Sequence, residues 1–301
     1  MNNTIQYGCF RYFLVPYDEL QMSMFQKPLI DRKSLIENII ENNETAIRIE
    51  DNTYEGKYKL YLVSKINENN FLLQFGKHGS IMNSQDTGTG FQDSLIDDYP
   101  HIHIFINTRE QILLFEKKTK AFKNFSTASK NFSNYISERI DDVGYEFKCE
   151  EIHSPVNFWN LVDISESLDT ITLTLYSPNL FDGTTPAEEA TRDLENATNS
   201  TENILTFKNK HGKLKLLKSK LQTFIEYIAA GGGSWSMRAK IPHKKSKKFS
   251  SKHNIKILNF PSDIIERTPE NLSSYIENTI HSINHKPGDD FINEGENIKN
   301  K

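Results

Sequence analysis

Two short patterns have the residue types of a metal-dependent active site. Glu146-Phe147-Lys148 matches the Glu-x-Lys element of metal-dependent nucleases, in which the carboxylate holds Mg²⁺ and the lysine stabilises developing negative charge. Such a site needs a second carboxylate from a neighbouring strand, and Asp97 and Asp98 are the candidates. Because Glu-x-Lys recurs by chance in a chain rich in both residues, the pattern predicts a nuclease only as an alternative.

The second pattern is a pair of histidines, His101 and His103, on a predicted strand. Their spacing of two places both imidazoles on one face, where they could share a metal. A further ligand would come from His78, His153, Asp97 or Asp98. No spacing selects among these, and strand histidines on a solvated face are the commoner arrangement, so no metal site is predicted.

Motifs for nucleophilic catalysis and phosphate loops do not stand out. The sequence has no Gly-x-Ser-x-Gly, and Cys9 and Cys149 have no histidine at an informative spacing. Gly231-Gly232-Gly233 follows a predicted helix and precedes a strand, the reverse of a P-loop, and indicates a helix stop with a flexible joint. No cofactor is predicted, and the sequence favours a non-enzymatic protein.

The distribution of charge carries the strongest signal. The 301 residues have a net charge of −4, yet residues 206–256 contain fourteen Lys or Arg and one acid, Glu226. This segment is therefore +13 and the other 250 residues are −17. Compositional bias toward lysine would spread the charge evenly, so the segment predicts a surface that binds a polyanion.

The predicted contacts lie on a helix and a basic β-hairpin within this segment. Trp235 to Ile241 alternates as a strand, 242–251 forms a basic loop, and 254–260 returns as a second strand. The predicted phosphate-binding residues are Lys213, Lys215, Lys218, Arg238, Lys240, Lys244, Lys245, Lys247, Lys248 and Lys252. With a single arginine, the segment indicates sequence-independent binding to DNA. The alternative is a protein–protein module whose hairpin docks an acidic partner.

Composition and patterning indicate an α+β protein. Hydrophobic residues make up 37% and aromatic residues 11%, enough for a core, and no apolar run is long enough to span a bilayer. No secretory signal is visible and the two cysteines form no disulfide framework, so we expect a cytoplasmic protein without membrane insertion.

Strands dominate the first half of the chain. Strands are predicted over 5–17, 145–153 and 169–177, with hairpins over 57–75 and 101–116, and a long surface loop over 76–90. Helices are predicted over 34–40, 126–140, 186–199, 213–230 and 269–283. We expect an antiparallel sheet-rich domain at 1–164, a mixed α/β domain with a long helix and the basic hairpin at 165–284, and a disordered tail at 285–301.

The strand Ser236-Met237-Arg238-Ala239-Lys240 and the segment Ser167-Leu168-Asp169 resemble stretches of the RexA-type phage-exclusion proteins of temperate phages. The order of elements before them is similar over about two thirds of the chain. The resemblance implies a cytoplasmic, homodimeric DNA-binding protein without catalytic activity. It further implies a role in phage exclusion or abortive infection, suggests a second defence-system protein as a partner, and supports Arg238 and Lys240 as contacts.

Overall fold

The computed structural model describes residues 4–16, 31–42, 58–176, 191–194, 197–198, 200–252 and 255–284. It confirms the α+β fold: antiparallel sheets are covered by helices that are segregated to their faces. One large sheet, one four-stranded sheet and one two-stranded ribbon make up the strands of these residues.

The large sheet is built around a long first strand, β1 (Thr4–Pro16). Its other strands are β2 (Tyr58–Lys65), β3 (Asn70–Lys77), β6 (His101–Asn107), β7 (Ile112–Glu116), β8 (Tyr145–Glu151) and β13 (Ile257–Pro261). The order is β13-β1-β7-β6-β3-β2, and β8 pairs with the second half of β1 on the same side as β13. Both hairpins predicted from alternation, β2–β3 and β6–β7, are confirmed.

Helices cover one face of this sheet. Asp31 caps α1 (Arg32–Glu41) by accepting hydrogen bonds from the Lys33 and Ser34 backbone N–H groups. The second helix, α2 (Phe125–Ile140), turns Phe132 and Ile136 inward at helical spacing. These side chains join Phe10, Tyr12 and the inward residues of β3 and β6 in one aromatic-rich core.

The opposite face of the large sheet packs against the end of the chain. Helix α5 (Pro269–Asn284) buries Leu272, Ile276 and Ile280 against Tyr7 and Leu72. The strand before it, β13, pairs with Thr4–Gly8 of β1. The prediction that residues 254–260 return beside the basic strand is therefore wrong, because their apolar residues complete the edge of the large sheet instead.

The predicted loop at 76–90 is wrong as well. Strands β4 (Gly79–Asp86) and β5 (Phe91–Asp98) pair along their whole length into a two-stranded ribbon. Loop-like composition obscured the alternation, since these residues are mostly Ser, Asn, Gln, Asp and Thr. We call β4–β5 the ribbon arm; its Met82, Phe91 and Leu95 are exposed.

The second sheet has the order β10-β9-β11-β12. Its strands are β9 (Ser167–Tyr176), β10 (Glu202–Lys208), β11 (Gly233–Lys240) and β12 (Lys247–Ser250). Helices α3 (Pro155–Asp163) and α4 (Lys218–Tyr227) close one face, with Phe158 and Ile225 packed against Leu173, Trp235 and Met237. Within the described residues, no helix or strand packs over the other face.

Two predictions around α4 need correction. The helix begins at Lys218 rather than Lys213, because Leu214 and Leu216 pack against the sheet core at a spacing of two, which requires an extended chain. The glycine triplet is not a flexible joint either. It is buried, and a Cβ at Gly233 would overlap the carbonyl oxygen of Thr174, so close packing is what requires glycine there.

Two predicted segments fall largely outside the described residues. Of the helix predicted at 186–199, residues 191–194 and 197–198 are described and are helical. The predicted tail at 285–301 lies outside the described residues.

The buried Arg11 joins the large sheet to the elements beside it. Its Nε donates to the carbonyl oxygen of Ala230 at 2.6 Å, one terminal nitrogen donates to that of Glu110 at 2.9 Å, and the other to Asn284 Oδ1 at 2.7 Å. Ala230 belongs to a short π-helical turn, Ile228–Gly232, that leads from α4 into β11. One guanidinium therefore fixes β1, the β6–β7 turn, the entry to β11 and the end of α5.

Replacing Arg11 by methionine should destabilise the protein by about 3 kcal/mol or more, because buried carbonyl oxygens lose charged hydrogen-bond donors. Urea unfolding measures the free energy. Arg109→Met is the matched control: its side chain is 72% exposed, and we expect a change within about 0.5 kcal/mol. Equal effects of the two substitutions would contradict the role assigned to Arg11.

Candidate nucleic-acid interface

The open face of the second sheet is lined by hydroxyl and cationic side chains. Strand pairing aligns them in three cross-strand rows: Ile204–Thr174–Ser234, Thr206–Thr172–Ser236–Ser250, and Lys208–Thr170–Arg238–Lys248. The first two rows present mainly hydroxyl groups and the third presents cations. We call these rows the open face. A surface of hydroxyl donors beside lysine and arginine matches the groups that contact phosphate and sugar oxygens in nucleic acids.

The cationic row brings Arg238 and Lys248 together, since they are directly paired across β11 and β12. The prediction that 242–251 is all loop is therefore wrong, because Lys247–Ser250 form strand β12. Lys240, two residues beyond Arg238, is exposed but forms an ion pair with Glu166 at 2.7 Å. Its charge is therefore partly neutralised where the resemblance places a contact. Lys208 extends the row on the far strand and was not among the predicted contacts.

The hairpin tip divides the remaining lysines. Lys244 and Lys245 are exposed in the turn between β11 and β12. Lys247 pairs with the buried Ala239, and its Nζ lies 4.6 Å from the centre of the Phe249 ring. Lys247 therefore lies on the same face of the sheet as the core residues. Its neighbour Lys248 lies on the open face.

The lysines before β11 lie apart from the three rows. Lys213 and Lys215 are exposed on the extended segment that precedes α4, alternating with Leu214 and Leu216. Lys218 begins α4, and its Nζ lies 5.6 Å from the centre of the Trp159 ring. Because α4 covers the closed face of the sheet, Lys218 is not on the open face.

Lys252 borders two cavities. One, of about 420 Å³, lies on the open face between Thr172, Ser236 and Lys248. The other, of about 270 Å³, lies between α2 and β8 and is also lined by Glu150. Burial raises the pKa of Glu150, while the charge of Lys252 opposes that rise.

Sequence reasoning missed the hydroxyl rows, although a signal was present. Thr170, Thr172 and Thr174 alternate with Ile171, Leu173 and Leu175, so they had to face away from the core. What the sequence does not reveal is the register that places Thr172 between Thr206 and Ser236. Residue types alone therefore indicate a polar face but not a continuous one.

The residues of the alternative nuclease reading lie in separate places. Glu146 forms an ion pair with Lys148 at 3.4 Å, while Asp97 and Asp98 on the ribbon arm pair with His78 and Lys120. The arm leads into β6, and β7 and β1 separate β6 from β8. The two sites are also far apart along the strands. Val15, the β1 partner of Glu146, lies eight residues from Tyr7, whose β7 partner Glu116 contacts His103 near the point where the ribbon arm joins β6. Eight residues of extended strand span about 26 Å. The structure does not bring the carboxylates together.

The histidine pair shares a face, as predicted, with ring centres 5.7 Å apart. The nitrogens of His103 are both engaged: Nδ1 lies 2.8 Å from Glu116 Oε2 and Nε2 lies 3.1 Å from Gln74 Nε2. Burial would raise the pKa of Glu116, but the hydrogen bonds from His103 outweigh it and leave that pKa lowered. Within the described ranges, no three His, Cys, Asp or Glu side chains group as metal ligands.

The thiols are poor nucleophiles. Burial raises the pKa of both Cys9 and Cys149 to about 12, so both stay protonated at neutral pH. Neither is placed for thiolate chemistry.

Comparisons with known proteins add no assignment. No protein-family model matches the chain, and a search of curated proteins finds no match. Across the part of the chain that the structure describes, no helix is both long and apolar enough to cross a membrane.

The fourth histidine considered as a ligand, His153, is buried at the junction of β8 and residue 255, and burial lowers its pKa. As pH falls below about 6.5, His153 binds a proton more readily in the unfolded chain than in the folded chain, so the free energy of unfolding falls. His153→Gln should remove this component, up to about 1.4 kcal/mol for each pH unit below 6.5. Urea unfolding at pH 7.5, 6.5 and 5.5 measures it.

The exposed His211 supplies the control for this experiment. His211→Gln should leave the pH dependence of stability as in the wild type. A pH profile of His153→Gln that superimposes on the wild-type profile would contradict the buried, neutral state of His153.

Proposed function

We propose that the protein is a non-enzymatic, sequence-independent binder of double-stranded DNA, and that the open face of the second sheet is its contact surface. The observation that carries the proposal is the alignment of Thr172, Ser236 and Ser250 beside the Arg238–Lys248 pair. Hydroxyls and cations on adjacent rows can contact successive phosphates of a backbone while the sheet stays rigid.

The electrostatics favour a polyanion. Lys208, Arg238 and Lys248 on the cationic row and Lys244 and Lys245 at the tip are all exposed. The acidic remainder of the chain limits indiscriminate adhesion to anions. If these five cations each neutralise one phosphate, log K should fall with log salt at a slope of about −4.5.

The residue types support backbone contact rather than base readout. Lysine is a point charge on a flexible stem, whereas arginine forms the bidentate contacts that distinguish guanine. Residues 206–256 contain Arg238 as their one arginine. We therefore expect similar affinities for duplexes of different sequence.

The cellular role is proposed on the resemblance to the RexA-type proteins. On that resemblance, we propose that the protein acts in the cytoplasm as a homodimer in anti-phage defence or phage exclusion. Two copies of the open face would double the phosphate contacts on one duplex.

Neutralising the cationic pair should change the salt dependence of binding. Arg238→Gln with Lys248→Gln should weaken binding to a 30-base-pair duplex and make the slope shallower by about 1.8, because two counterion-releasing contacts are lost. Fluorescence anisotropy across a salt series measures both quantities. Lys117→Gln with Lys123→Gln removes the same charge from exposed sites outside the second sheet and should leave the slope unchanged.

The hydroxyl row supplies an orthogonal variant. Thr172→Val with Ser236→Ala should weaken binding and leave the slope unchanged, since hydroxyl contacts release no counterion. An unchanged slope in the cationic variant would place the duplex elsewhere. If the wild-type protein binds no duplex at low salt but binds an acidic protein, the protein–protein module becomes the supported function.

Releasing Lys240 from its ion pair should tighten binding. Glu166→Gln removes the carboxylate 2.7 Å from Lys240 Nζ, adds one net positive charge beside the cationic row and frees one ammonium for phosphate. We expect higher affinity and a slope steeper by about 0.9. Asp263→Gln is the control because it breaks an exposed pair with Arg267, outside the second sheet. Weaker binding by Glu166→Gln would show that the pair orders the surface instead.

A further inference from the structure

A cavity of about 380 Å³ lies on the large sheet at the base of the ribbon arm. This volume falls within the range of about 300–1,000 Å³ that is typical of small-molecule sites. The cavity, which we call the aromatic pocket, is lined by Lys59, Tyr61, Gln74, Gly76, Tyr99 and His101.

Among the described residues, α5 packs on the rows next to the β2–β3 and β6–β7 turns, and the pocket lies on the rows beyond them. On the face opposite the α1–α2 core, Leu72 and Phe105 pack with α5. The next two rows along the strands are Tyr61–Gln74–His103 and Lys59–Gly76–His101. These rows contribute most of the pocket lining, so the pocket is a rigid part of the sheet.

Glycine makes the floor of the aromatic pocket. A Cβ at Gly76 would lie 2.9 Å from His101 Cβ and 3.3 Å from the carbonyl oxygen of Pro100. Any side chain at this position would press on His101 and fill the space above the strand. Gly76 therefore lets a ligand approach the backbone closely.

Two tyrosine rings stand at the pocket with much of their surface exposed. Tyr61 is 53% exposed and Tyr99 is 48% exposed. The Nζ of Lys59 lies 5.5 Å from the centre of the Tyr99 ring, which holds a cation at the pocket rim. Exposed aromatic rings beside a cation are the elements of a stacking platform for nucleobases.

The polar atoms of the pocket suit an amine-bearing ring. His101 Nδ1–H donates to the Tyr99 carbonyl oxygen at 3.1 Å, which leaves Nε2 as an acceptor. The Gln74 amide nitrogen lies 3.1 Å from His103 Nε2, so its amide oxygen can also accept. The exocyclic amine of a purine could donate to either acceptor.

We propose that the aromatic pocket binds a purine nucleotide, with the base stacked on Tyr61 or Tyr99 and the phosphate at Lys59. The purine could come from a free mononucleotide or from an unpaired base of a single strand. This site is separate from the open face of the second sheet. A failure of duplex binding at the open face would therefore not contradict nucleotide binding in the aromatic pocket.

The experiment compares four probes by calorimetry or anisotropy: AMP, adenosine, ribose 5-phosphate and a ten-nucleotide oligodeoxyadenosine. We use the Arg238→Gln/Lys248→Gln background so that backbone binding at the open face contributes little. AMP should bind and ribose 5-phosphate should not, because the base supplies the stacking. Affinity for the oligonucleotide well above that for AMP identifies a strand as the source of the base, and comparable affinities identify the mononucleotide.

Two sets of variants test the assignment. Tyr61→Ala with Tyr99→Ala should weaken AMP binding about tenfold or more, while Tyr61→Phe should keep it. Lys59→Glu should weaken binding of AMP but not of adenosine. Val63→Ala, on the same strand but outside the pocket lining, is the matched control and should bind normally.

Three results would overturn the proposal. These are equal binding of AMP and ribose 5-phosphate, absence of AMP and oligonucleotide binding at millimolar concentration, and unchanged AMP affinity in the double tyrosine variant. Circular dichroism verifies that each variant is folded, and Lys59→Glu tests the site even if the double tyrosine variant fails to fold.

Discussion

A buried guanidinium is the central polar contact between the large sheet and the second sheet. Burying the charge of Arg11 is costly unless each donor finds an acceptor, and three elements distant in sequence supply them: Ala230, Glu110 and Asn284. The Cβ of Arg11 also approaches Gly231 so closely that a side chain there would clash. The entry to β11 is therefore held against β1. Since β11 is a central strand of the second sheet, its orientation depends on this contact.

The packing around the second sheet decides which of its faces is available. The β9 end packs Tyr176 against Phe13 and Val15 of β1, while α3 and α4 occupy the closed face. An antiparallel sheet covered on one side presents every second residue to solvent. In this sheet those residues are mainly threonine, serine, lysine and arginine, with Ile204 and Glu202 on the edge strand β10. The basic segment of the sequence therefore contributes to a surface that has hydroxyl groups at one end and cations at the other.

Local periodicity was enough to predict much of this fold, because the patterns of strands and helices involve residues that are close in sequence. The β2–β3 and β6–β7 hairpins, α2 and α5 were all predicted near their observed bounds. Predictions failed where a polar composition hid the alternation, as in the ribbon arm, and where partners are distant in sequence. Nothing local shows that residues 257–261 pair with β1 rather than with β11. Within the site, alternation predicted that Arg238 points outward, but the Glu166 partner of Lys240 depends on the tertiary fold.

The two proposed surfaces use different physics, and this separates their consequences. On the open face, exposed cations attract a backbone through interactions that salt screens, so occupancy there should follow ionic strength. In the aromatic pocket, stacking depends on the area of ring that contacts a base and changes little with salt. Arg11 bonds to the entry of β11 and to the β6–β7 turn, whereas the pocket is lined by residues of β2, β3 and the start of β6, at the other end of these strands from that turn. A change at one surface should therefore leave the other able to bind, even in one folded chain.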